Sequence, residues 1–196
     1  MRHRSRDCSN VALYQGMALA MPKAALKELG FSPRMAHPGR NASVVNILNP
    51  SRTFFATTGT NMGRRILQSE RNAGLLVEIL RSLVVEHKFE LHDFVVMPDH
   101  LHLLLTVHDD MTIEKAIQLV KGRYSRRLSK ELGYKGEVWQ RGFTEVQVMN
   151  RGSFEIHCEY IAQNPVKAGL AVSTEDFPFC YRFLAKRKAE AKISRG

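Results

Sequence analysis

Cysteine is scarce in this 196-residue chain: Cys8, Cys158 and Cys180 are too few and too scattered for a disulfide framework or a cysteine-rich zinc site, which points to a reducing cytoplasm. Long apolar runs are missing as well. None approaches the roughly 18 residues that span a bilayer. The mildly apolar stretch at 11–21, behind Arg2, Arg4 and Arg6, is broken by Gln15 and Gly16 and does not read as a secretory leader. A membrane partner is therefore not expected. There is no internal repeat and no glycine-rich phosphate loop, so no nucleotide cofactor is expected. No acidic cluster suits two-metal nuclease chemistry. Acidic charge itself is in short supply: 19 Asp and Glu against 29 Lys and Arg leave a net charge of +10 and a pI of about 9.8. That balance is typical of chains that bind a polyanion, with nucleic acid foremost.

Three regions emerge from the patterning. Residues 1–50 are rich in Arg, Asn, Ser, Gly and Pro, with one short helical stretch at 22–29, and read as a loosely ordered basic extension. Residues 51–184 carry the periodic patterns of one catalytic domain, and residues 185–196 form a basic tail or helix end. Within the domain, residues 52–58, 89–97, 101–107 and 143–149 read as strands, the middle two joined by a tight turn at Pro98 and Asp99. Ser69 is placed to cap a helix with the stripe Leu76, Ile79, Leu80, Leu83 and Val84. Thr112 caps a second, with Ile113, Ile117, Val120, Tyr124 and Leu128, ended by Gly133. Ser153 is placed to cap a third, with Pro165 forcing its end. The order β-α-β-β-α-β followed by a helix predicts an α+β, ferredoxin-like antiparallel sheet backed by helices.

Three constellations could carry chemistry. His100 and His102 lie two apart on a strand, so both imidazoles share a face and could converge on one ion while Leu101 and Leu103 pack behind; a lone pair of this kind is often structural. His92, His108 and His157 receive no role. On the last helix Phe154, Cys158 and Ile161 form the stripe expected to face the sheet, leaving Tyr160 free to face a groove, with Asn164 one turn on. The second helix presents Lys121, Arg123, Arg126, Arg127 and Lys130, candidate phosphate contacts, and Trp139-Gln140-Arg141 offers a stacking ring beside a polar and a basic reader.

The segments MPDHLHLLL, KGRYSRRL, GEVWQRGF and EYIAQNPVKAGL, in this order over about residues 52–184, resemble the REP-associated tyrosine transposases, relatives of the small insertion-sequence transposases of the HUH class. The resemblance implies that His100 and His102 bind a divalent ion, Mg²⁺ or Mn²⁺, and that Tyr160 is the nucleophile. The third ligand it implies lies about one turn after the tyrosine, at Asn164 or the neighbouring Gln163. It further implies DNA association in the cytoplasm, single-stranded hairpins of repetitive palindromic DNA as partner, strand transfer through a 5′-phosphotyrosine, and a monomer in preference to a dimer. Two other readings stay open: a hairpin-binding protein without strand transfer, and a phosphoesterase that uses His100 and His102 with water as nucleophile.

Overall fold

The computed structural model describes residues 51–108 and 111–194, so the expected helix at 22–29 and the extension around it lie outside the described residues. Aromatic and β-branched residues open the domain as strand β1 (Ser51–Gly59), and helix α1 (Glu70–Val85) follows two short 3-10 turns. Strands β2 (Glu90–Val96) and β3 (His100–His108) form a hairpin whose turn is closed by the Met97 N–H donating to the His100 carbonyl at 2.8 Å. Helix α2 (Ile113–Leu132), strand β4 (Thr144–Val148), helix α3 (Arg151–Lys167) and helix α4 (Tyr181–Ile193) complete the chain. All pairings are antiparallel, in the order β2-β3-β1-β4. This is the α+β sheet that the pattern predicts.

Alternation along the strands divides the molecule into two layers. Leu101, Leu103 and Leu105 of β3, with Phe54 and Ala56 of β1, pack against Leu76, Leu80 and Leu83 of α1 and Ile117, Val120 and Tyr124 of α2. The other face carries Phe55, Val95 and Leu104, covered by Ile161 of α3 and by Cys180 at the start of α4. His102 is on this second face, against Phe55 and Tyr160. The site-bearing side of the sheet is thus separated from α1 and α2 by the sheet itself.

Three local expectations are corrected. The side chain of Asn150, not Ser153, caps α3, accepting from the Ser153 N–H at 2.8 Å. Ser69 occupies the N-cap position of α1 without a side-chain cap bond. Pro165 does not end α3, which runs two residues further to Lys167. Proline removes one donor, the one that would meet the Ile161 carbonyl, and the helix then closes through Ala168 N–H to Asn164 and Leu170 N–H to Pro165, with Gly169 at φ +66°. Thr112 and Gly133 cap α2 as expected, Gly133 at φ +66°. Helix α4 crosses residue 184 and carries the basic residues 186–188.

Candidate active site

The antiparallel register sets His102 opposite Thr57 and His100 opposite Gly59. Thr57 is therefore on the same face as His102, and its hydroxyl shares a 2.7 Å hydrogen bond with His102 Nδ1. His100 Nδ1 lies 2.6 Å from a carboxylate oxygen of Asp99, whose own carbonyl accepts the Thr60 N–H at 2.7 Å. Each imidazole thus has its Nδ1 engaged, so Nε2 is the atom of each ring that could ligate an ion. The two rings are 4.7 Å apart and nearly perpendicular. Burial, then the neighbouring His100, holds the His102 pKa well below the ordinary imidazole value, opposed by a hydrogen bond with Asn164. His102 is consequently neutral, the form that ligates metal.

Helix α3 brings the tyrosine to this pair. The Tyr160 ring meets His102 edge-on at 5.4 Å and Phe55 at 5.6 Å. Phe55 is the centre of the packing, also stacked on His102 at 5.4 Å and on His157 at 4.5 Å. His157, given no role by the sequence, is a buried member of the sheet-facing surface of α3 and is 4 % exposed. Asn164 donates from Nδ2 to the Tyr160 carbonyl at 2.9 Å, and its amide is a polar neighbour of both the His102 imidazole and the Tyr160 phenol. Burial pushes the Tyr160 phenol above its ordinary pKa, and the Asn164 contact pulls it back. Gln163 is turned away, donating to Glu159 at 2.8 Å. Of the two candidate ligands one turn after the tyrosine, only Asn164 is beside the histidines.

Among the described residues no three His, Cys, Asp or Glu side chains form a metal-binding group. The polar groups brought together on this face are two imidazoles and a carboxamide. The oriented imidazoles fit a divalent ion.

The expected DNA-contacting residues separate into two groups. Lys121 donates to the carbonyls of Gln140 and Gly142 at 2.8 and 2.9 Å, and its pKa is lowered by burial. Arg123 is ion-paired with Glu86, and Arg127 with Glu131 at 2.6 Å and Glu78 at 3.1 Å. These three are spent within the protein, on the helix layer behind the sheet. Trp139 is corrected from stacking ring to core residue: it is 9 % exposed, packs on Tyr124 at 5.4 Å and donates its indole N–H to the Lys121 carbonyl at 3.1 Å. Arg126 and Arg141 are exposed. Gln140 lies over the end of β1, where its side chain would be only 3.1 Å from a Cβ placed on Gly59, and its N–H donates to the Gly59 carbonyl at 3.0 Å. Because Gly59 pairs with His100, Gln140 stands at the histidine end of the sheet. Thr57 was missed in the sequence because its partner is set by register between strands 45 residues apart.

A two-layered sheet with a histidine pair on one strand and a tyrosine helix laid across it defines the class, and comparison identifies it: the protein belongs to the IS200-like transposase family, whose profile matches residues 57–164. It is 27% identical over 131 residues to the REP-associated tyrosine transposase of Escherichia coli strain K12, covering 64% of this chain and 73% of that one. It is 31% identical over 74 residues to the ISDra2 transposase TnpA of Deinococcus radiodurans, covering 35% and 53%. The fold matches a solved REP-associated tyrosine transposase bound to a REP hairpin with a TM-score of 0.59, at 24% identity over 74% of this chain and 82% of that one. Among the described residues no helix is long and apolar enough to cross a membrane.

Proposed function

We propose that the protein cleaves and rejoins single-stranded DNA through a covalent bond between Tyr160 and a 5′-phosphate. The observation that carries this reading is the convergence of the Tyr160 ring on His102 at 5.4 Å, with Asn164 one helical turn on and bonded to the Tyr160 carbonyl. A bound Mg²⁺ or Mn²⁺, held by His100, His102 and Asn164, would polarise the scissile phosphate and lower the barrier to anionic attack. Asp99 accepts from the Nδ1–H of His100, and Thr57 holds the His102 ring in its orientation. Phe55 fixes the tyrosine ring from the side. In the transfer step the Tyr160 oxygen bonds to phosphorus as the phosphorus–O3′ bond breaks. The phenolic proton leaves to solvent, and the departing O3′ takes up a proton as a free hydroxyl. The phosphotyrosyl ester is close in energy to the bond it replaces, so a second 3′-hydroxyl reverses the step and joins strands without nucleotide hydrolysis.

The substrate class follows from the relatives. The E. coli protein is named for its association with REP sequences, and the solved neighbour holds a REP hairpin, so we infer hairpin-forming single strands for this chain as well. End-labelled strands from the DNA flanking its gene test the polarity. The proposed chemistry leaves a 3′ end that a polymerase extends and a 5′ end joined to protein. A protein-blocked 3′ end, or free ends on both fragments, would contradict it.

A further inference from the structure

Tyr160, Asn164 and Lys167 are spaced by four and three residues, which lays them along one face of α3 as nucleophile, carboxamide and cation. The Lys167 ammonium is 6.0 Å from the centre of the Tyr160 ring. Its acidic neighbour on the helix, Glu159, already has both carboxylate oxygens occupied, one by Gln163 at 2.8 Å and the other by Arg182 at 2.9 Å. Lys167 itself is exposed and makes no ion pair among the described residues. The contrast with α2 is direct, since Lys121, Arg123 and Arg127 are all held by protein groups.

Asp99 beside His100 places a carboxylate at this end of the sheet. A phosphodiester attacked by a phenolic oxygen gathers further negative charge in the transition state, so a cation placed there is favoured over a neutral side chain. Building on the phosphotyrosine reading, we propose that Lys167 is a substrate-binding residue whose ammonium contacts the phosphate transferred to Tyr160. The four-carbon stem lets the ammonium move from above the ring to a phosphate oxygen by a change of rotamer. Lysine suits this position because it acts as a point charge and can follow the phosphate from DNA to tyrosine.

The test uses binding, so that it is independent of turnover. The Tyr160→Phe protein, with Lys167 intact or changed to Met or Arg, is titrated against a labelled hairpin strand from the flanking DNA. The strand carries single neutral methylphosphonates, one at a time, along its unpaired arm. With Lys167 present, one methylphosphonate should weaken binding by about tenfold. Lys167→Met should weaken binding to the unmodified strand by a similar factor, lose all further response to that methylphosphonate, and lower the salt slope by about 0.7. Lys167→Arg should restore the response. The responding phosphate should be the one that the protein with Tyr160 intact takes onto the tyrosine. Unchanged affinity and salt slope in Lys167→Met, or a loss that adds equally to every methylphosphonate, would overturn the proposal. Coupling without any adduct in the protein carrying Tyr160 would leave the lysine contact standing and overturn the phosphotyrosine reading; an adduct without coupling would do the reverse.

Discussion

At the scale of single residues, each histidine of the pair is held by a neighbouring side chain. Thr57 and Asp99 each hold one Nδ1, at 2.7 and 2.6 Å. Thr57→Val keeps the shape and removes the hydroxyl, and Asp99→Asn keeps the shape and removes the charge. Each should weaken Mn²⁺ binding by about 10- to 100-fold, read by titrating free Mn²⁺ against protein without DNA. Thr57→Ser should bind as the parent does. Unchanged Mn²⁺ affinity in both variants would dismiss the orienting role. A second residue-scale consequence concerns Asp93, buried on β2 facing the Cys158 thiol and Arg182 and Glu159, with its Oδ1 accepting the Phe94 N–H at 2.8 Å. Burial raises its carboxyl pKa from 3.8 to about 6. The folded chain therefore holds this proton more tightly than the unfolded chain between about pH 4 and 6. Its contribution favours folding at the acid end of that window and is lost as pH rises, by about 3 kcal/mol in all. Denaturant titrations of Asp93→Asn should show a flatter stability profile from pH 4 to 6 than the parent; parallel profiles would contradict the assignment.

At the scale of elements, helical and strand periodicity made most of the architecture legible. The predicted stripe of α2 is buried along its whole length, from Ile113 to Leu128, and the period of two placed His100 and His102 on one face. What the sequence concealed depends on tertiary contact. The Thr57–His102 pair exists because β1 and β3 align in one register among several. Asn150 outcompetes Ser153 as the cap of α3 because the chain turns extended one residue before Arg151. Pro165 is tolerated because it sits within the last turn, where few carbonyls remain to be served. Trp139 read as a base platform because nothing local shows that Lys121 offers a carbonyl to its indole and Tyr124 a packing surface. Trp139→Ala should accordingly cost about 3–5 kcal/mol of stability by chemical denaturation. A variant as stable as the parent but impaired in DNA binding would return Trp139 to the interface.

At the scale of the whole molecule, the sheet divides two tasks. Its α1 and α2 side is a hydrophobic layer on whose surface Arg123 and Arg127 are ion-paired with Glu78, Glu86 and Glu131, and its other side carries histidines, carboxamide and tyrosine drawn from β3 and α3. A net charge of +10 over the full sequence suits a polyanionic partner, while the proposed chemistry would rest on a few side chains aligned by packing. The pair of motifs on those two elements was legible as a local pattern; the ion pairs of Arg123 and Arg127 were not, because their glutamate partners come from elsewhere in the chain as well as from α2 itself.

A denaturing-gel assay for a DNA–protein adduct separates transfer through Tyr160 from its alternatives. The parent chain and Tyr160→Phe are mixed with labelled single strands from the DNA flanking the gene, in Mn²⁺, Mg²⁺ or chelator. Phosphotyrosine transfer by Tyr160 should give an adduct with the parent in the presence of metal, none with chelator, and none with Tyr160→Phe although that variant still binds the strand. An adduct that persists in Tyr160→Phe, or metal-dependent cleavage by that variant with no covalent product, would contradict it.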